Sequence, residues 1–297
     1  MKNILILGGS GYIGSRLTQV LSEVYNVDSD DITESRDYHD LTKDDVSKYD
    51  AIVLLAGHSS VKSCIGDVSS PWLNNVTNFD NLLTKLNKEQ LLIYASSSSV
   101  YGNNSPGKKH TEEIIDFTPV NNYDLTKYVL DITAQLAIKQ GYQIIGLRFG
   151  TVNGWSPNLR TDLMINSMYD AAVTTRQITV TNKHINRALL GIEDLCRAID
   201  SCITNPVSGV YNLASFNTTV DEIAHIVSER LQVPIIDFGN TEGVYDFELD
   251  CAKFKNTFNF TFEETPVTII DGLNAQYTES KRLKRDGYIS YGWRPKC

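Results

Sequence analysis

The sequence predicts an α/β fold in which a doubly wound parallel sheet is followed by a smaller C-terminal lobe. Short apolar runs alternate with amphipathic helical stretches through the first half of the chain, a pattern typical of a parallel sheet covered on both faces. A glycine-rich turn joins the first of these runs to the first helical stretch. After Gly154 the alternation fades into a turn-like segment, which predicts where the second lobe begins.

Each element has its own pattern. Apolar runs predict strands over residues 4–7, 51–56, 91–96 and 144–149, and 3.6-residue periodicity predicts helices over residues 13–24, 76–86 and 125–136. Later segments predict a helix over residues 189–203, a short strand over residues 210–213 and a helix over residues 220–231. Thr218 or Thr219 is expected to cap this last helix, with Glu222 in its first turn. We expect one domain from residues 1–152 and about 186–213, and a second lobe from residues 153–185 and 214–297.

Composition excludes several function classes. The 297 residues are 41% hydrophobic and 21% charged, which is ordinary for a soluble globular protein, and the net charge of −9 argues against a nucleic-acid partner. No apolar run reaches the roughly 20 residues of a membrane span, and the N-terminal run is too short for a signal peptide. The five cysteines are scattered and the five histidines lack ligand spacing, so we expect no metal site. The expectation is a cytoplasmic protein with no membrane partner.

The glycine-rich turn predicts a dinucleotide site of the Rossmann type. Gly8, Gly11 and Gly14 follow a strand and open a helix, with Tyr12 and Ile13 between them. Small residues let the backbone approach a pyrophosphate, and the helix N-terminus supplies free N–H groups and a partial positive charge.

An acidic residue about 20 positions further on is expected to hold the adenosine ribose. Asp28, Asp30 and Asp31 compete for this role; Asp31 best fits the end of the second strand, and Asp30 comes next. A carboxylate here accepts bonds from a ribose diol and repels a 2′-phosphate. The sequence therefore favours NAD over NADP.

Tyr123 and Lys127 are four residues apart on a predicted helix and share one face. A phenol that serves as a base near neutrality needs its pKa lowered by roughly three units from about 10, and a neighbouring ammonium and an oxidised nicotinamide both favour the phenolate. Lys127 can also hold the nicotinamide ribose. A serine run over residues 96–99 ends the preceding strand, where a hydroxyl can hold a substrate oxygen. Together these residues predict nicotinamide redox chemistry on an alcohol.

From residue 1 to about residue 273, the chain resembles the extended short-chain dehydrogenase/reductase family, in its NAD-dependent epimerase/dehydratase branch, which acts on nucleotide sugars. The resemblance implies that Ser97, Tyr123 and Lys127 are catalytic. It also implies further cofactor contacts: Asp40 and Leu41 beside adenine, Leu55, Ala56 and Gly57 over the pyrophosphate, and Asn75 near the active site. Substrate contacts are implied for Ser98, Thr151, Arg160, Asn166 and Arg187, with the arginines on a nucleotide diphosphate.

Two departures from the family pattern bear on the reaction. Ser98 and Ser99 stand where the 4,6-dehydratases have an Asp-Glu pair, which weakens a dehydratase interpretation. Thr151 stands where many 4-epimerases have Asn. The leading hypothesis is a nucleotide-sugar epimerase; the alternatives are a nucleotide-sugar reductase or dehydrogenase with net cofactor turnover, and a non-catalytic dinucleotide-sensing protein.

The resemblance also implies a homodimer. Family members commonly pack two helices per subunit into a four-helix bundle, which here would be the helices containing residues 75–86 and 122–137. The basic run over residues 281–285 is interpreted as a solvated helix face, with a contact to substrate or partner as the alternative.

Overall fold

A six-stranded parallel sheet forms the centre of the protein in a computed structural model that describes residues 1–33, 37–67, 69–102, 108–113 and 119–285, with side chains to residue 279. The strands are β1 Asn3–Leu7, β2 Asn26–Asp30, β3 Ala51–Leu54, β4 Leu91–Ser97, β5 Lys108–His110, β6 Gln143–Phe149, β7 Thr151–Asn153, β8 Ile178–Val180, β9 Asn186–Gly191, β10 Gly209–Leu213, β11 Phe216–Thr219, β12 Ile235–Asp237 and β13 Phe247–Leu249. The helices are α1 Tyr12–Leu21, α2 Lys43–Ser47, α3 Ser69–Trp72, α4 Asn78–Lys85, α5 Asn122–Lys139, α6 Met164–Thr174, α7 Ile192–Thr204, α8 Val220–Leu231, α9 Ala252–Phe258 and α10 Pro266–Arg285.

The order of the central strands is β10-β6-β4-β3-β1-β2, and every pair is parallel. The chain passes from β1 to the edge strand β2 and then returns to the other side of β1 to form β3. This reversal creates a switch point between β1 and β3, and ligands of doubly wound sheets bind beyond the carboxyl ends of the strands at such a point. The predicted fold class is confirmed.

Helices cover both faces of the sheet because its strands are apolar on both sides. Ile4 and Ile6 of β1 pack on one face in a cluster that includes residues of α1 and α7. Leu5 and Leu7 point to the other face, where α4 and α5 supply the covering residues. A π-helical turn over Leu73–Thr77 joins α3 to α4, so residues 69–85 form one nearly continuous helical stretch beside α5.

The second lobe packs α6, α8 and α10 around the pair β8 and β12. Helix α8 has the predicted bounds, and Thr219 is its cap: the Thr219 hydroxyl accepts from the Glu222 N–H, while the Glu222 carboxylate accepts from the Thr219 N–H. The helix expected over residues 189–203 begins later, at Ile192, so that expectation was wrong at its start. Residues 186–191 form β9 instead, since their backbone pairs with β7 and β11 in a second, three-stranded sheet.

Strand β10 joins the central sheet, whereas β9 belongs to the three-stranded sheet. The division of the chain at residues 152, 186 and 213 stays a prediction.

Among the described residues no helix is long and apolar enough to cross a membrane. Within the same ranges no group of three or more metal-ligating side chains is found, and the four described cysteines are buried free thiols. The basic run over residues 281–285 forms the end of α10, and its side chains lie outside the described set.

Candidate active site

A cavity of about 830 Å³ lies at the carboxyl ends of the central strands, between the sheet and the second lobe. Most of the predicted site residues line it: Gly8, Gly11, Tyr12, Ile13, Gly14, Asp30, Asp31, Leu55, Ala56, Gly57, Ser97, Ser98, Tyr123, Lys127, Thr151, Arg160 and Arg187. Four predicted residues do not: Asp40, Leu41, Asn75 and Asn166.

The glycine-rich turn is packed so closely that side chains are excluded at two of its positions. Gly8 has φ +91°, and a Cβ there would lie 2.6 Å from the Ala56 nitrogen. A Cβ on Gly14 would lie 2.1 Å from the Gly8 carbonyl oxygen. Gly11 is the N-cap of α1 and has no side chain to occupy the first-turn N–H groups. The turn therefore forms a backbone cradle at a helix N-terminus, which suits a pyrophosphate.

Two of the three competing aspartates lie at the cavity. Asp30 is the last residue of β2, and Asp31 follows it; the Asp31 carboxylate accepts from the Ser10 N–H at 3.1 Å and from the Thr33 N–H at 3.0 Å. Asp28 accepts from the Tyr49 hydroxyl at 2.7 Å and does not line the cavity. Asp30 and Asp31 both remain placed for a ribose, whereas Asp28 does not.

The residues expected beside adenine are offset from the cavity wall. Asp37 and Tyr38 line the cavity at this point. Asp40 is exposed, with an oxygen 3.2 Å from His39 Nδ1, and Leu41 is buried in the core under the sheet. The expectation for Asp40 and Leu41 came from their resemblance to an acidic and aliphatic pair of the family, whereas in the structure Asp37 and Tyr38 reach the cavity.

Asn75 supports the cavity wall from behind. Its Oδ1 accepts from the His58 N–H at 2.9 Å, and its Nδ2 donates to the Thr126 hydroxyl at 3.0 Å. These bonds join the loop after β3 to helix α5, which carries Tyr123.

The three predicted catalytic residues come together at the end of β4. Ser97 is the last residue of that strand, and its hydroxyl lies near enough to the Tyr123 phenol to lower the pKa of that phenol. Lys127 Nζ donates to the Ala95 carbonyl at 2.8 Å and lies 5.9 Å from the centre of the Tyr123 ring. One phenol, one hydroxyl and one ammonium thus share the wall of the cavity.

Burial opposes ionisation of this cluster. It raises the pKa of Tyr123 to about 12, although the Ser97 hydroxyl lowers it. Burial also lowers the pKa of Lys127 to about 8, against the opposing effect of Asp131. The lowered phenol pKa expected from the sequence is therefore absent from the protein alone, because desolvation outweighs the lowering effects of Ser97 and Arg160. A positively charged ligand beside Tyr123 would favour the phenolate.

The second lobe contributes two arginines with different surroundings. The Arg160 guanidinium is bonded to both oxygens of Asp162, at 2.9 and 2.7 Å. Arg187 donates from Nη1 to the Tyr245 carbonyl at 3.1 Å, and burial lowers its pKa. No carboxylate of the described residues lies within ion-pair distance of Arg187. Arg187 is thus the cation better placed to neutralise an anionic ligand.

The side-chain amide of Asn166 is engaged in hydrogen bonds within the protein. Its Oδ1 accepts from the Gly154 N–H at 2.9 Å, and its Nδ2 donates to the Tyr12 hydroxyl at 3.1 Å and to the Arg160 carbonyl at 2.9 Å. It holds two residues that line the cavity and does not line the cavity itself. Ser98 and Thr151 do line it, on the side of the serine run.

Comparison with known proteins shows the family to which the chain belongs. The model of the NAD-dependent epimerase/dehydratase family matches residues 4–214. The chain belongs to this family. Protein CapI of Staphylococcus aureus is 31% identical over 238 residues, which cover 69% of this chain and 70% of that protein. The ADP-L-glycero-D-manno-heptose-6-epimerase of Brachyspira hyodysenteriae is 26% identical over 274 residues, 79% of this chain and 83% of that enzyme.

Among solved structures, the UDP-N-acetylglucosamine 4-epimerase from Methanobrevibacter ruminantium, in complex with UDP-N-acetylmuramic acid, superposes with a TM-score of 0.82. It is 19% identical, and the match covers 93% of this chain and 99% of the other. The predicted resemblance to the extended short-chain dehydrogenase/reductases is confirmed by the family match and this shared fold.

As a member of this family the protein uses NAD, and the residues present fit that cofactor. The glycine cradle would be filled by any Cβ at Gly8 or Gly14, and Asp30 and Asp31 lie where an adenosine ribose is expected. These residues would hold the dinucleotide, and Lys127 would lie at its reactive end.

Tyr245 is among the cavity residues that the sequence prediction missed. Tyr245 lines the cavity, and its hydroxyl donates to both oxygens of Asp124, at 2.9 and 2.8 Å. The two residues are 121 positions apart. Asp124 lies within the motif from Tyr123 to Lys127, but at a position to which the motif assigns no role, and Tyr245 belongs to no motif.

Proposed function

We propose that this enzyme is a nucleotide-sugar epimerase, which oxidises a sugar hydroxyl to a transient keto group and reduces it again on the opposite face. The observation that carries the proposal is the joint placement of Ser97, Tyr123 and Lys127 at the strand ends, in one cavity with Arg187 of the second lobe. A sugar can lie at the first three residues while its diphosphate reaches the fourth.

The residues of the chain supply proton transfer and binding. Bound NAD supplies the hydride acceptor and, in the second half of the reaction, the hydride donor. As the sugar C–H bond breaks and a C=O bond forms, the hydroxyl proton passes to the Tyr123 oxygen. The Ser97 hydroxyl holds the sugar oxygen throughout. After the keto sugar has turned, Tyr123 returns the same proton, and the alcohol is restored with inverted configuration.

Arg187 gives the enzyme a binding site for the nucleotide diphosphate. Its guanidinium faces no carboxylate of the described residues at ion-pair distance, whereas that of Arg160 is already paired with Asp162. A guanidinium forms two parallel hydrogen bonds with phosphate oxygens, so Arg187 suits this ligand. Within a chain of net charge −9 such a local cation is needed to bind an anionic substrate.

Dehydration is supported less well than epimerisation. Removal of water requires an additional acid and base beside the keto sugar, and hydroxyls stand at Ser98 and Ser99 where the 4,6-dehydratases have carboxylates.

A reductase or dehydrogenase would use the same residues, so the cofactor balance must separate it from an epimerase. The purified protein, with its retained NAD, is incubated with UDP-N-acetylglucosamine, UDP-glucose and ADP-heptose in the absence of added cofactor. An epimerase converts many equivalents of sugar per enzyme without net change in NADH absorbance. Oxidation that stops after one equivalent and resumes only with added NAD would support a dehydrogenase instead, and conversion that requires added NADH or NADPH would support a reductase.

The proposal includes a homodimer. Trp72 and Leu73 are 43% and 57% exposed, and Ile132 and Leu136 on the adjacent helix α5 are 48% and 58% exposed. These four residues, the two-helix face, lie on the pair of helical stretches that relatives in the family use for association. A second copy of the chain is the occupant that fits, because it would cover this face with the same apolar side chains in a four-helix arrangement.

A further inference from the structure

Tyr245 is fixed to the turn of helix α5 that carries the catalytic tyrosine. Its hydroxyl donates to the carboxylate of Asp124, and Asn121 Nδ2 donates to the same hydroxyl at 2.9 Å. Asp124 immediately follows Tyr123 and is completely buried. Asn121 caps the helix, since its Oδ1 accepts from the Asp124 N–H at 2.9 Å. The phenol of Tyr245 therefore rests on a small hydrogen-bonded cluster at the start of the catalytic helix.

The backbone around Tyr245 contacts the opposite wall of the cavity. Arg187 Nη1 donates to the Tyr245 carbonyl at 3.1 Å. The next residue, Asp246, accepts from the Asn186 N–H at 2.7 Å and from the Asn186 amide at 3.0 Å. These contacts hold Tyr245 against the start of β9. One residue thus joins the arginine proposed for the diphosphate to the helix that carries the proposed base.

Asp124 also changes the electrostatic surroundings of Tyr123. Burial raises the pKa of Asp124, and hydrogen bonds from Tyr245 and Asn121 lower it, so these two bonds favour a charged carboxylate inside the protein. That charge raises the pKa of Tyr123. The other groups that act on Tyr123 are Cys64, which raises its pKa, the Ser97 hydroxyl and Arg160, which lower it, and Lys127, whose ammonium lies 5.9 Å from the ring centre.

We propose that Tyr245 is a positioning residue that, through Asp124, couples the grip of Arg187 on the substrate to the placement and charge environment of Tyr123. The inference rests on the proposed function, which makes Tyr123 the base and Arg187 a ligand of the diphosphate. If the contact between Tyr245 and Asp124 only held the lobes together, its removal would lower stability and leave the pKa and placement of Tyr123 unchanged. If the contact couples the two sites, its removal changes the pKa and placement of Tyr123 while the fold is retained.

Two conservative variants separate these roles. Asp124→Asn keeps the size of the side chain and removes its charge. We expect the acid limb of the kcat/KM profile to move down by about one pH unit, because a negative charge no longer opposes ionisation of Tyr123. Tyr245→Phe keeps the ring and the carbonyl that Arg187 contacts. We expect kcat to fall about tenfold, because the variant loses one hydrogen bond to a charged group. The Kd for UDP should stay within twofold of that of the parent.

A matched control removes an equivalent bond elsewhere. The Tyr25 hydroxyl donates to Asp200 at 2.7 Å and does not line the cavity, so Tyr25→Phe should leave both kcat and the pH profile unchanged. If Tyr245→Phe and Asp124→Asn lower the melting temperature but leave kcat and the acid limb as in the parent, the coupling proposal is wrong.

A readout without substrate keeps this proposal separate from the proposed function. In the NAD-loaded protein, an ultraviolet titration of phenolate is compared with that of Tyr123→Phe, and the missing step belongs to Tyr123. In Asp124→Asn that step should occur about one pH unit lower. A step that stays in place or moves up overturns the coupling, whether or not any nucleotide sugar is turned over. Absence of turnover with every sugar, with the step displaced as expected, would overturn the proposed function alone.

Discussion

The role that we propose for Tyr123 requires ionisation, although its phenol is buried. The surrounding protein raises the pKa of the phenol to about 12, and the nearby ammonium of Lys127 is itself easier to deprotonate, with its pKa lowered to about 8. The protein alone therefore favours the protonated phenol, and the proposed role of Tyr123 as a base requires a ligand that lowers its pKa. A positively charged nicotinamide would do so, which ties the basicity of Tyr123 to the oxidised form of the cofactor.

Removal of the phenol tests its role. Tyr123→Phe should lower turnover by about 10²–10⁴-fold, the usual contribution of a positioned acid–base group, while the NAD content of the purified protein stays unchanged. Turnover is measured by sugar analysis and NAD by extraction. Tyr142→Phe, which lies outside the cavity lining, serves as the control. Unchanged turnover in Tyr123→Phe would favour the non-catalytic, dinucleotide-sensing alternative.

The two cavity arginines should differ in their effect on binding. Arg187→Gln is expected to weaken UDP binding by about 10–100-fold, the loss of a hydrogen bond to a charged group, whereas Arg160→Gln should change it by less than about threefold because Asp162 already pairs with Arg160. Calorimetric titration with UDP measures both. Equal losses in the two variants would contradict the assignment of the diphosphate to Arg187.

At the scale of elements, buried polar clusters hold the strands and helices that position the site. Arg148 of β6 is completely buried; its Nε donates to Asp131 of α5 at 2.7 Å and its Nη1 to the Tyr101 hydroxyl at 2.9 Å. The Tyr94 hydroxyl of β4 donates to the other oxygen of Asp131 at 2.8 Å. This cluster joins β4 and β6 to α5, so the helix that carries Tyr123 is anchored to the strand that ends at Ser97.

Helix α7 begins against the half-buried carboxyl group of Glu264, whose titration makes the stability of the protein depend on pH. Glu264 Oε2 accepts from the N–H groups of Glu193 and Asp194, at 2.9 and 3.1 Å, and burial raises the pKa of Glu264 to about 7 from an ordinary 4.5. The pKa of Glu264 is higher in the folded protein than in the unfolded chain, so protonated Glu264 contributes to the free energy of unfolding. This contribution is complete below about pH 4.5 and is lost as the pH rises through about 7.

Glu264→Gln removes this dependence while keeping an acceptor for the helix. We expect the melting temperature of the variant to rise relative to the parent between pH 5 and pH 8, as measured by thermal unfolding across that range. For Glu263→Gln, at a neighbouring exposed position, the difference in melting temperature from the parent should stay constant over the same pH range. An offset for Glu264→Gln that is constant or falls with pH would show that the carboxyl titrates normally.

The sequence predicted those elements whose signals are local. The glycine spacing after β1 predicted both the strand-to-helix turn and its ligand, and the Thr219 and Glu222 pair predicted where α8 begins. Residues 189–191 were assigned to a helix because a short apolar run suits either structure, and only their pairing with β7 and β11 makes them a strand. Asp124 and Tyr245 could not be paired from sequence, since their contact depends on how the second lobe packs on the first.

At the scale of the whole molecule, the two lobes meet at the glycine-rich turn. The Tyr12 hydroxyl donates to the Gly154 carbonyl at 2.8 Å, and Asn158 Nδ2 donates to the Ser10 carbonyl at 2.8 Å. The glycine-rich turn, which we expect to hold the cofactor, is therefore also a point at which the second lobe contacts the sheet.

The two-helix face predicts the oligomeric state. The parent protein should sediment as a dimer, and a double variant, Ile132→Asp with Leu136→Asp, should sediment as a monomer because charged groups oppose burial of the face. Val24→Asp, at another exposed apolar position, should leave the dimer intact. A parent protein that is monomeric at micromolar concentration would contradict the proposed interface.

The central claim, that a sugar carbon loses its hydride and regains the same one, is tested most directly by isotopic labelling. A nucleotide sugar that is converted by the enzyme is prepared with deuterium at the carbon that is inverted, and is incubated in ordinary water without added cofactor. The account predicts that the inverted product keeps its deuterium at that carbon. Replacement of the deuterium by hydrogen from water would show that the carbon is deprotonated instead, and would contradict the account.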